Sequence, residues 1–300
     1  MAYTTGDTIL DDHYNDFATS VNAIWGTGTG DAGYGQGTTV SAVSAGATIT
    51  AAQWTTLLAR ISSAASHQSS SITAISNPSA GGTISAFTAL STNISTITTN
   101  RLNVHARQAV ANTNRDNTNT FTGTLTFTNK WAWASANQAR YFFNAGGRLS
   151  ISGSQSGHGS DSKGNQWAAL LSQAGTYYVY AQSSGKSGGS GSPSVNDTNK
   201  GYHDLTTSYV TVFQQYEDTG PYTANYVLWQ LRTADAGASV EANCLWVDAA
   251  PDSSFNKSIY TSQDQVEGTH RMTYGYEKHN VTYVADAGST ITVTGTATGS

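Results

Sequence analysis

The first hundred residues contain a repeated unit that strongly restricts what they can fold into. Each copy opens with a Gly-x-Thr-Ile segment and continues with apolar residues spaced three, four and three positions apart. This spacing places one apolar stripe along an α-helix. The stripes comprise Tyr14, Phe17, Val21 and Ile24 in the first copy, Trp54, Leu57, Ile61 and Ala64 in the second, and Phe87, Leu90, Ile94 and Ile97 in a third, looser copy.

The ends of these helices are also encoded locally. Asp11 or Asp12 can cap the first helix and Thr50 the second, because a side-chain oxygen there accepts a hydrogen bond from a free backbone N–H. The glycines between residues 26 and 36 exclude a helix between the first two copies. Helices this short are marginal in isolation, so each stripe must pack on a sibling helix, on another chain, or on both. We predict that the stripes, apart from Ala64, form an assembly interface.

From about residue 121 the pattern changes to a period of two. The odd-numbered residues from Phe121 to Phe127 are apolar or glycine and alternate with threonines, which is typical of a half-buried β-strand. Further strands are predicted at Leu149–Gly153, Tyr177–Gln182, Thr206–Tyr216, Tyr226–Arg232, Val240–Val247, Val281–Val284 and Thr290–Thr294. Helices are predicted at 135–144 and 165–174, and the glycine-rich stretch 183–199 is predicted to be a long mobile loop.

Many short strands with few helices favour an antiparallel sandwich. The predicted fold class is therefore α+β, with short N-terminal helical repeats followed by a mainly antiparallel β-sandwich domain. We expect a helical repeat region with two clear copies at 1–67, a linker containing the third, weak copy at 68–118, and a β-sandwich-like domain at 119–300. Cys244 lies in the alternating strand 240–247 and is predicted to be buried.

The composition argues against several classes of function. Charged residues make up only 11% of the chain and the net charge is -5, so a nucleic-acid partner, which needs clustered Lys and Arg, is not expected. The single cysteine, Cys244, allows neither an intramolecular disulfide nor a cysteine-based metal site. No apolar run approaches the ~18 residues that span a membrane, and no signal peptide is visible. We expect synthesis in a cytoplasm and no membrane partner.

Residues that could carry catalysis or bind a metal form no recognisable constellation. The seven histidines include no HxH or HExxH pair. Oxygen ligands near 161–165 and 196–199 fit ordinary turns better than a calcium loop. The acids available in the β domain are Glu217, Asp218, Glu241 and Asp248. Their spacing singles out no pair that could act as the two carboxylates of a glycosidase, so we predict no catalytic residue, no metal site and no cofactor.

The aromatic residues leave two interpretations open. Four tryptophans lie in or beside strand-like sequence, namely Trp131, Trp133, Trp229 and Trp246. They either fill the sandwich core or stack on sugar rings, as in a glycan-binding module, and we favour the core. Tyr177, Tyr178 and the loop around Tyr222 are better candidates for the surface.

Several segments resemble virion structural proteins of tailed bacteriophages, notably marine and cyanobacterial ones. The segments are Ala139–Gly147, Trp167–Leu171 with Gly175-Thr176, Gly201–Tyr209, Gly33–Gln36, and the N-terminal unit from Ile49 through Gln53-Trp54 to Leu58. Together they touch most of the chain, whereas residues 250–300 match nothing specific. The resemblance implies a location in the virion, associated with the tail, and it implies no catalytic residue.

The leading hypothesis is a non-enzymatic structural component of a phage particle, such as a tail fibre, collar or baseplate part. The N-terminal helices would dock on other virion proteins or on sister chains, and the β domain would project outward. Particle proteins often assemble with cyclic symmetry, so a homo-oligomer, with a trimer as the guess, is expected. The alternative is a carbohydrate-binding module that recognises the host surface. A polysaccharide depolymerase ranks last.

Overall fold

The computed structural model describes residues 11–77, 86–159, 162–249, 255–257, 260–262, 265–287 and 290–299, with side chains for all of these except 162, 255–257 and 260–262. The chain divides into two compact units, each discontinuous in sequence. The helical unit comprises residues 1–108, 140–147 and 278–289, and the sandwich unit comprises 109–139, 148–277 and 290–300. Helices lie mainly in the N-terminal part and antiparallel sheets in the C-terminal part, which confirms the predicted α+β class.

The helical unit is built on three helices, α1 (Asp11–Trp25), α2 (Ala51–His67) and α3 (Phe87–Thr99). The cap of α2 is the predicted one, because Thr50 Oγ1 accepts a hydrogen bond from Gln53 N at 3.2 Å and Gln53 Oε1 accepts one from Thr50 N at 2.9 Å. This reciprocal arrangement satisfies backbone donors that the helix itself leaves free. Asp11 and Asp12 lie inside the first turn of α1, where negative charge is favourable, rather than at its cap.

The three apolar stripes meet in one core. Tyr14 of α1 packs on Trp54 of α2 with ring centroids 6.3 Å apart, and Phe17 of α1 packs on Phe87 of α3 at 4.9 Å. Val40 and Val43, from the segment between α1 and α2, are buried in the same core. The third copy of the repeat is therefore a full member of the helical unit.

Three asparagines on the helices each bond both backbone groups of one residue in an extended segment. The pairs are Asn15–Val43, Asn22–Val40 and Asn93–Thr73, with distances of 2.8–2.9 Å. In each pair Nδ2 donates to the carbonyl and Oδ1 accepts from the N–H. We call these pairs the asparagine clasps. They satisfy backbone groups of segments that run beside the helices and pair with none of the described strands.

The sandwich unit contains two antiparallel sheets and one complete helix, and a second helix begins in this unit at Ala136 and ends in the helical unit at Asn144. One sheet contains β1 (Arg107–Asn117), β3 (Arg148–Ser156), β4 (Thr176–Val179), β5 (Ser184–Ser187) and β12 (Thr269–His279). The other contains β2 (Gly123–Ala132), β6 (Val195–Asn196), β7 (Val210–Tyr216), β8 (Tyr226–Ala234), β9 (Ser239–Asp248) and β13 (Thr292–Gly299). The strand orders are β1-β12-β3-β4-β5 and β13-β2-β9-β8-β7-β6. The remaining elements are α4 (Ala136–Asn144), α5 (Ser162–Ala174), 3₁₀ turns at Tyr202–Asp204 and Asp235–Gly237, and a hairpin of β10 (Phe255–Lys257) and β11 (Tyr260–Ser262).

Aromatic side chains fill the space between the two sheets. Trp131 of β2 meets Tyr274 of β12 with ring centroids 5.7 Å apart, and Tyr177 of β4 meets Trp229 of β8 at 5.9 Å. Each pair joins one sheet to the other, and all four side chains are at most 1% exposed. These contacts are those of a face-to-face sandwich, as predicted.

One loop prediction and one strand prediction are wrong. The stretch 183–199 is not one long loop, because it contains β5 and β6, and the hydroxyl of Tyr177 lies 2.8 Å from Ser184 Oγ at the start of β5. Val281–Val284 is not a strand, because Asn280 Oδ1 accepts hydrogen bonds from both Thr282 N and Thr282 Oγ1 and closes a turn there.

The predicted linker at 68–118 also differs from the structure. Its α3 packs into the helical unit, and its last part forms β1 at the edge of a sheet. Residues 108–112 of β1 are exposed on both faces. Such a strand shows no period of two, which explains why the sequence pattern did not indicate it.

Candidate functional site

The side chains predicted to form an assembly interface lie in the core of the helical unit. Exposed fractions are 0–2% for Tyr14, Val21, Ile24, Trp54, Leu57, Ile61, Leu90 and Ile97, 7% for Ile94 and 9% for Phe17, and Phe87 is partly buried against the same core. Sibling helices therefore cover the stripes. The interface assignment is wrong, because side chains with almost no exposed area have none left to bury against another chain.

A junction within the helical unit joins the glycine-rich segment 26–36 to the last residues of α4. Arg140 donates Nη2 to Thr27 O and Nη1 to Ala32 O, both at 2.6 Å. Asn144, which is fully buried, donates Nδ2 to Ala32 O at 3.0 Å and lies within 3.3 Å of two neighbouring carbonyls. We call Arg140 and Asn144 the turn clamp. They satisfy carbonyls that an irregular segment cannot pair by itself.

The same segment approaches its neighbours too closely for a side chain. Gly35 has a φ of +72°, and a Cβ built there would lie 2.4 Å from Tyr141 Cδ2. The next residue, Gln36, donates Nε2 to Ala285 O at 2.8 Å and accepts at Oε1 from Ala285 N at 3.1 Å. Segment 33–36 therefore contacts both of the later stretches of chain that complete the helical unit.

Two buried histidines face each other in the helical unit. The rings of His67 and His279 have centroids 5.2 Å apart, and each side chain is 1% exposed. His67 Nε2 donates to Ala145 O and His279 Nε2 to Val284 O, both at 3.1 Å, if the tautomers are assigned from these carbonyls. Burial, reinforced by repulsion from His279, lowers the pKa of His67 to about 3, and burial also lowers the pKa of His279. Both rings are therefore neutral at pH 7.

The tryptophans considered as sugar platforms are core residues. Exposed fractions are 0% for Trp131, Trp229 and Trp246 and 5% for Trp133. This confirms the core interpretation and leaves their ring faces covered. Tyr177 is 0% exposed, so its prediction as a surface residue is wrong, whereas Tyr178 is half-buried. The loop around Tyr222 is exposed at 218–221 and 223–224, although the Tyr222 side chain itself is 4% exposed. Cys244 is buried as predicted, and burial raises the pKa of its thiol to about 12.

A buried ion pair holds α5 against β9. Lys163 Nζ lies 2.7 Å from Asp248 Oδ2, and the two side chains are 0% and 1% exposed. The Lys163 ammonium also lies 5.5 Å from the centroid of the Tyr222 ring. In the sequence, Lys163 is part of a calcium-like turn and Asp248 is one of the four acids of the β domain. No sequence signal pairs them, since they are far apart along the chain.

The four acids considered for catalysis serve separate structural contacts. Glu241 binds Arg232 Nη2 at 2.7 Å, Glu217 accepts from Thr219, Asp218 accepts from Gln173, and Asp248 binds Lys163. Each carboxylate is thus engaged by its own partner. Nothing in these contacts assembles two of them into one site.

The outer face of the six-stranded sheet carries a patch that sequence reasoning missed. Tyr216 and Tyr226 are cross-strand neighbours with ring centroids 5.0 Å apart, and Tyr216 is 42% exposed. Beside them lie half-buried aliphatic residues, Leu228, Leu245 and Val247, and then an amide pair in which Asn243 Nδ2 donates to Gln230 Oε1 at 3.1 Å. We call this set the tyrosine patch. Its signal in the sequence lies at the outward positions where β8 begins and β9 ends, because Tyr226, Leu228, Leu245 and Val247 are apolar or aromatic where a solvent face is usually polar.

The fold and the surfaces described above are the basis for function. No group of His, Cys, Asp and Glu in the described residues is arranged to hold a metal ion. Among the described helices, none combines the length and apolarity needed to cross a membrane. No family model, curated protein or solved structure matches the chain.

Proposed function

We propose that this chain is a structural component of a tailed-phage particle, associated with the tail as a fibre, collar or baseplate part. The observation that carries the proposal is the turn clamp. Gly33–Gln36 and Ala139–Gly147 both resemble phage virion proteins, and the two segments meet within the helical unit, where Asn144 Nδ2 donates to Gly33 O at 3.3 Å and Gly35 lies against the ring of Tyr141. Segments far apart in sequence that resemble one class of protein, and that meet in the fold, support a shared architecture.

Other resembling segments also fall on residues that build the fold. In Trp167–Leu171 the side chains of Trp167, Leu170 and Leu171 are at most 1% exposed. In Gly201–Tyr209 the hydroxyl of Tyr202 donates to Gly237 O at 2.7 Å. The resemblance thus rests on packing and backbone support rather than on a reactive site, which favours an architectural role.

Docking in this proposal does not use the apolar stripes, since these are buried. The exposed face of α3 is polar and uncharged and includes Ser91, Thr92 and Ser95, whereas α1 exposes Asp12 and Asp16. Docking through α3 would therefore rely on hydroxyl groups and shape more than on charge, and salt would weaken it little.

Electron microscopy of intact particles tests the proposal. We expect gold-labelled antibodies against the purified chain, or a tag on its N-terminus, to mark the tail at a fixed position, with a copy number that mass spectrometry of the particles gives independently. Antibodies pre-adsorbed with the purified chain provide the control. Particles that lack the chain would contradict the proposal.

The tyrosine patch favours a second candidate function, the binding of a neutral host glycan. Paired tyrosine rings offer a face for a sugar ring, and the adjacent amides of Gln230 and Asn243 offer donors and acceptors for its hydroxyls. Binding on a glycan array that is lost in Tyr216→Ala/Tyr226→Ala, and retained in Tyr283→Ala of the helical unit, would support it. Tyr283 is a suitable control because it is 39% exposed. Equal binding by all three proteins would contradict it.

A further inference from the structure

Two strand edges lie next to each other on one side of the sandwich unit. β1 and β13 are each the first strand of a sheet, so each has one side without a neighbour among the described strands. Arg115 of β1 donates Nη2 to Asn129 Oδ1 of β2 at 3.5 Å, and a Cβ on Gly295 of β13 would lie 2.9 Å from Arg115 Nε. These contacts place both edges on the same side of the sandwich, which we call the open side.

Both edges are exposed and uncharged along most of their length. Residues 108–112 of β1 are exposed without interruption, and Val110 among them is 42% exposed. In β13 only Val293 and Ala297 are partly buried. The segments 108–114 and 292–299 contain no charged residue and no proline.

Edges of this kind readily pair with further β-strands. A sheet edge presents a row of unpaired N–H and C=O groups, and proteins whose edges stay free protect them with lysine, proline, bulges or very short strands. β1 and β13 have 11 and 8 residues, and the segments above lack both lysine and proline. The open side is therefore better suited to accept strands than to remain in water.

We infer that the open side is the interface between copies of this chain, formed by edge-to-edge strand pairing. A partner must offer two strand edges at the spacing of two packed sheets, ~10 Å. The open side of a second copy offers that pair. A two-fold axis perpendicular to the strands places each edge beside the same edge of the second copy, in antiparallel pairing. Neighbouring strands within the two sheets, from β12 to β5 and from β13 to β6, also pair in antiparallel fashion.

The chemistry of the edges favours a second copy over a charged partner. Identical surfaces that meet across a two-fold axis place like groups near each other, and like charges directly opposite are destabilising. The uncharged edges avoid this repulsion. Small side chains such as Ala109, Ala111 and the glycines of β13 also let a second backbone approach closely.

The solution mass of the purified full chain tests the inference. We expect light scattering coupled to gel filtration to give at least two copies of the 31.5 kDa chain at micromolar concentration. Val110→Lys/Thr296→Lys places a charge on each edge and should give the mass of one chain. The matched control Ser192→Lys/Thr207→Lys adds the same two charges at exposed loop positions before β6 and β7, and it should keep the wild-type mass. A monomeric wild type, or a doubly substituted chain that stays oligomeric, overturns the inference.

Hydrogen exchange of the wild type covers the case in which the double variant fails to fold. Amides of β1 and β13 that point to the open side should exchange slowly at high protein concentration and faster on dilution. Exchange that does not depend on concentration would also overturn the inference. The inference deepens the proposed assembly role but uses only the strand edges. If the chain is a monomer but is found in phage tails, only the inference fails. If it is an oligomer but is absent from particles, only the proposed function fails.

Discussion

The neutral state of His67 makes the stability of the helical unit depend on pH. Its pKa is about 3 in the folded chain, against the ordinary value of 6.5, and burial is the main cause. The unfolded chain therefore binds a proton that the folded chain does not, so stability is full above pH 6.5 and is lost as pH falls from 6.5 towards 3. Each pH unit in that window costs up to about 1.4 kcal/mol from this residue.

Amide exchange in α2 at pH values from 7 to 5 measures this effect. We expect the free energy of opening to fall by about 2 kcal/mol at pH 5 through His67, with a further loss through His279, whose pKa is also lowered. Lys278 and Asp286, which lie near His279, form their own ion pair at 2.6 Å. His67→Gln can keep the donor to Ala145 O and should flatten the pH dependence. An unchanged slope in this variant would show that His67 does not cause it.

Breaking the Lys163–Asp248 pair should lower the free energy of unfolding strongly, whereas replacing both residues by apolar ones should lower it much less. Lys163→Met leaves the Asp248 carboxylate buried without its cation, and we expect a loss of about 3–5 kcal/mol in the free energy of unfolding. Lys163→Met/Asp248→Leu removes both charges and should recover most of that loss. Urea unfolding followed by tryptophan fluorescence measures the difference.

An exposed ion pair supplies the comparison for this experiment. Arg271 and Asp116 lie 2.6 Å apart with side chains 41% and 38% exposed. Arg271→Met should cost less than about 1 kcal/mol, because solvent screens such pairs. If Lys163→Met destabilises the chain no more than Arg271→Met does, the expected effect of leaving a buried carboxylate without its cation is contradicted.

At the scale of elements, the asparagine clasps hold extended segments that have no sheet to join. Asn93→Ala removes both bonds to Thr73, and we expect a loss of about 1–3 kcal/mol because a backbone donor and acceptor lose their partner. The Thr73 amide should then exchange much faster in the folded chain. Asn103→Ala, at an exposed position, is the matched control and should change neither quantity. Slow exchange at Thr73 in the Asn93 variant would contradict the role of the clasp.

The elements that the sequence predicts are those with an apolar period. The three-four-three spacing identifies α1, α2 and α3, and the period of two identifies most central strands, because one face of each is buried. β12 has the same alternation at His270, Met272 and Tyr274, so its signal was available. β1, β5 and β6 lack such a signal, since polar residues on short or edge strands are held by backbone pairing rather than by a buried face.

The spacing of apolar residues does not show which elements cover the apolar stripes or which side chains form the candidate surfaces. A stripe at Trp54, Leu57 and Ile61 shows which face of α2 is apolar, but not which element packs on it. The turn clamp joins residues 27–33 to residues 140–144, and the Lys163–Asp248 pair joins α5 to β9. Contacts across such distances in sequence follow from topology, and a single sequence does not reveal them.

At the scale of the whole molecule, neither unit is a single stretch of chain. The helical unit is completed by residues 140–147 and 278–289. Ala145 and Val284 from these stretches are buried in its core, and Asn144 and Gln36 provide bonds that tie them to the glycine-rich segment. A cut after residue 108 therefore removes Ala145 and Val284 from the core. It also removes Arg140, Asn144 and Ala285, which bond to the glycine-rich segment.

A fragment of residues 1–108 should consequently lack the helical structure that these residues have in the full chain. Without the later stretches, the core surface that Ala145 and Val284 cover is exposed to water, and the carbonyls of residues 27–33 lose the donors that fix them in place. Circular dichroism and amide exchange of the fragment should show weak, rapidly exchanging helices, whereas the full chain protects α1 and α2. A mixture of the fragment with a peptide of residues 136–150 should restore part of the protection, and Arg140→Ala/Asn144→Ala in that peptide should abolish the rescue. A fragment as protected as the full chain would show that the first 108 residues fold without the stretches that complete the unit.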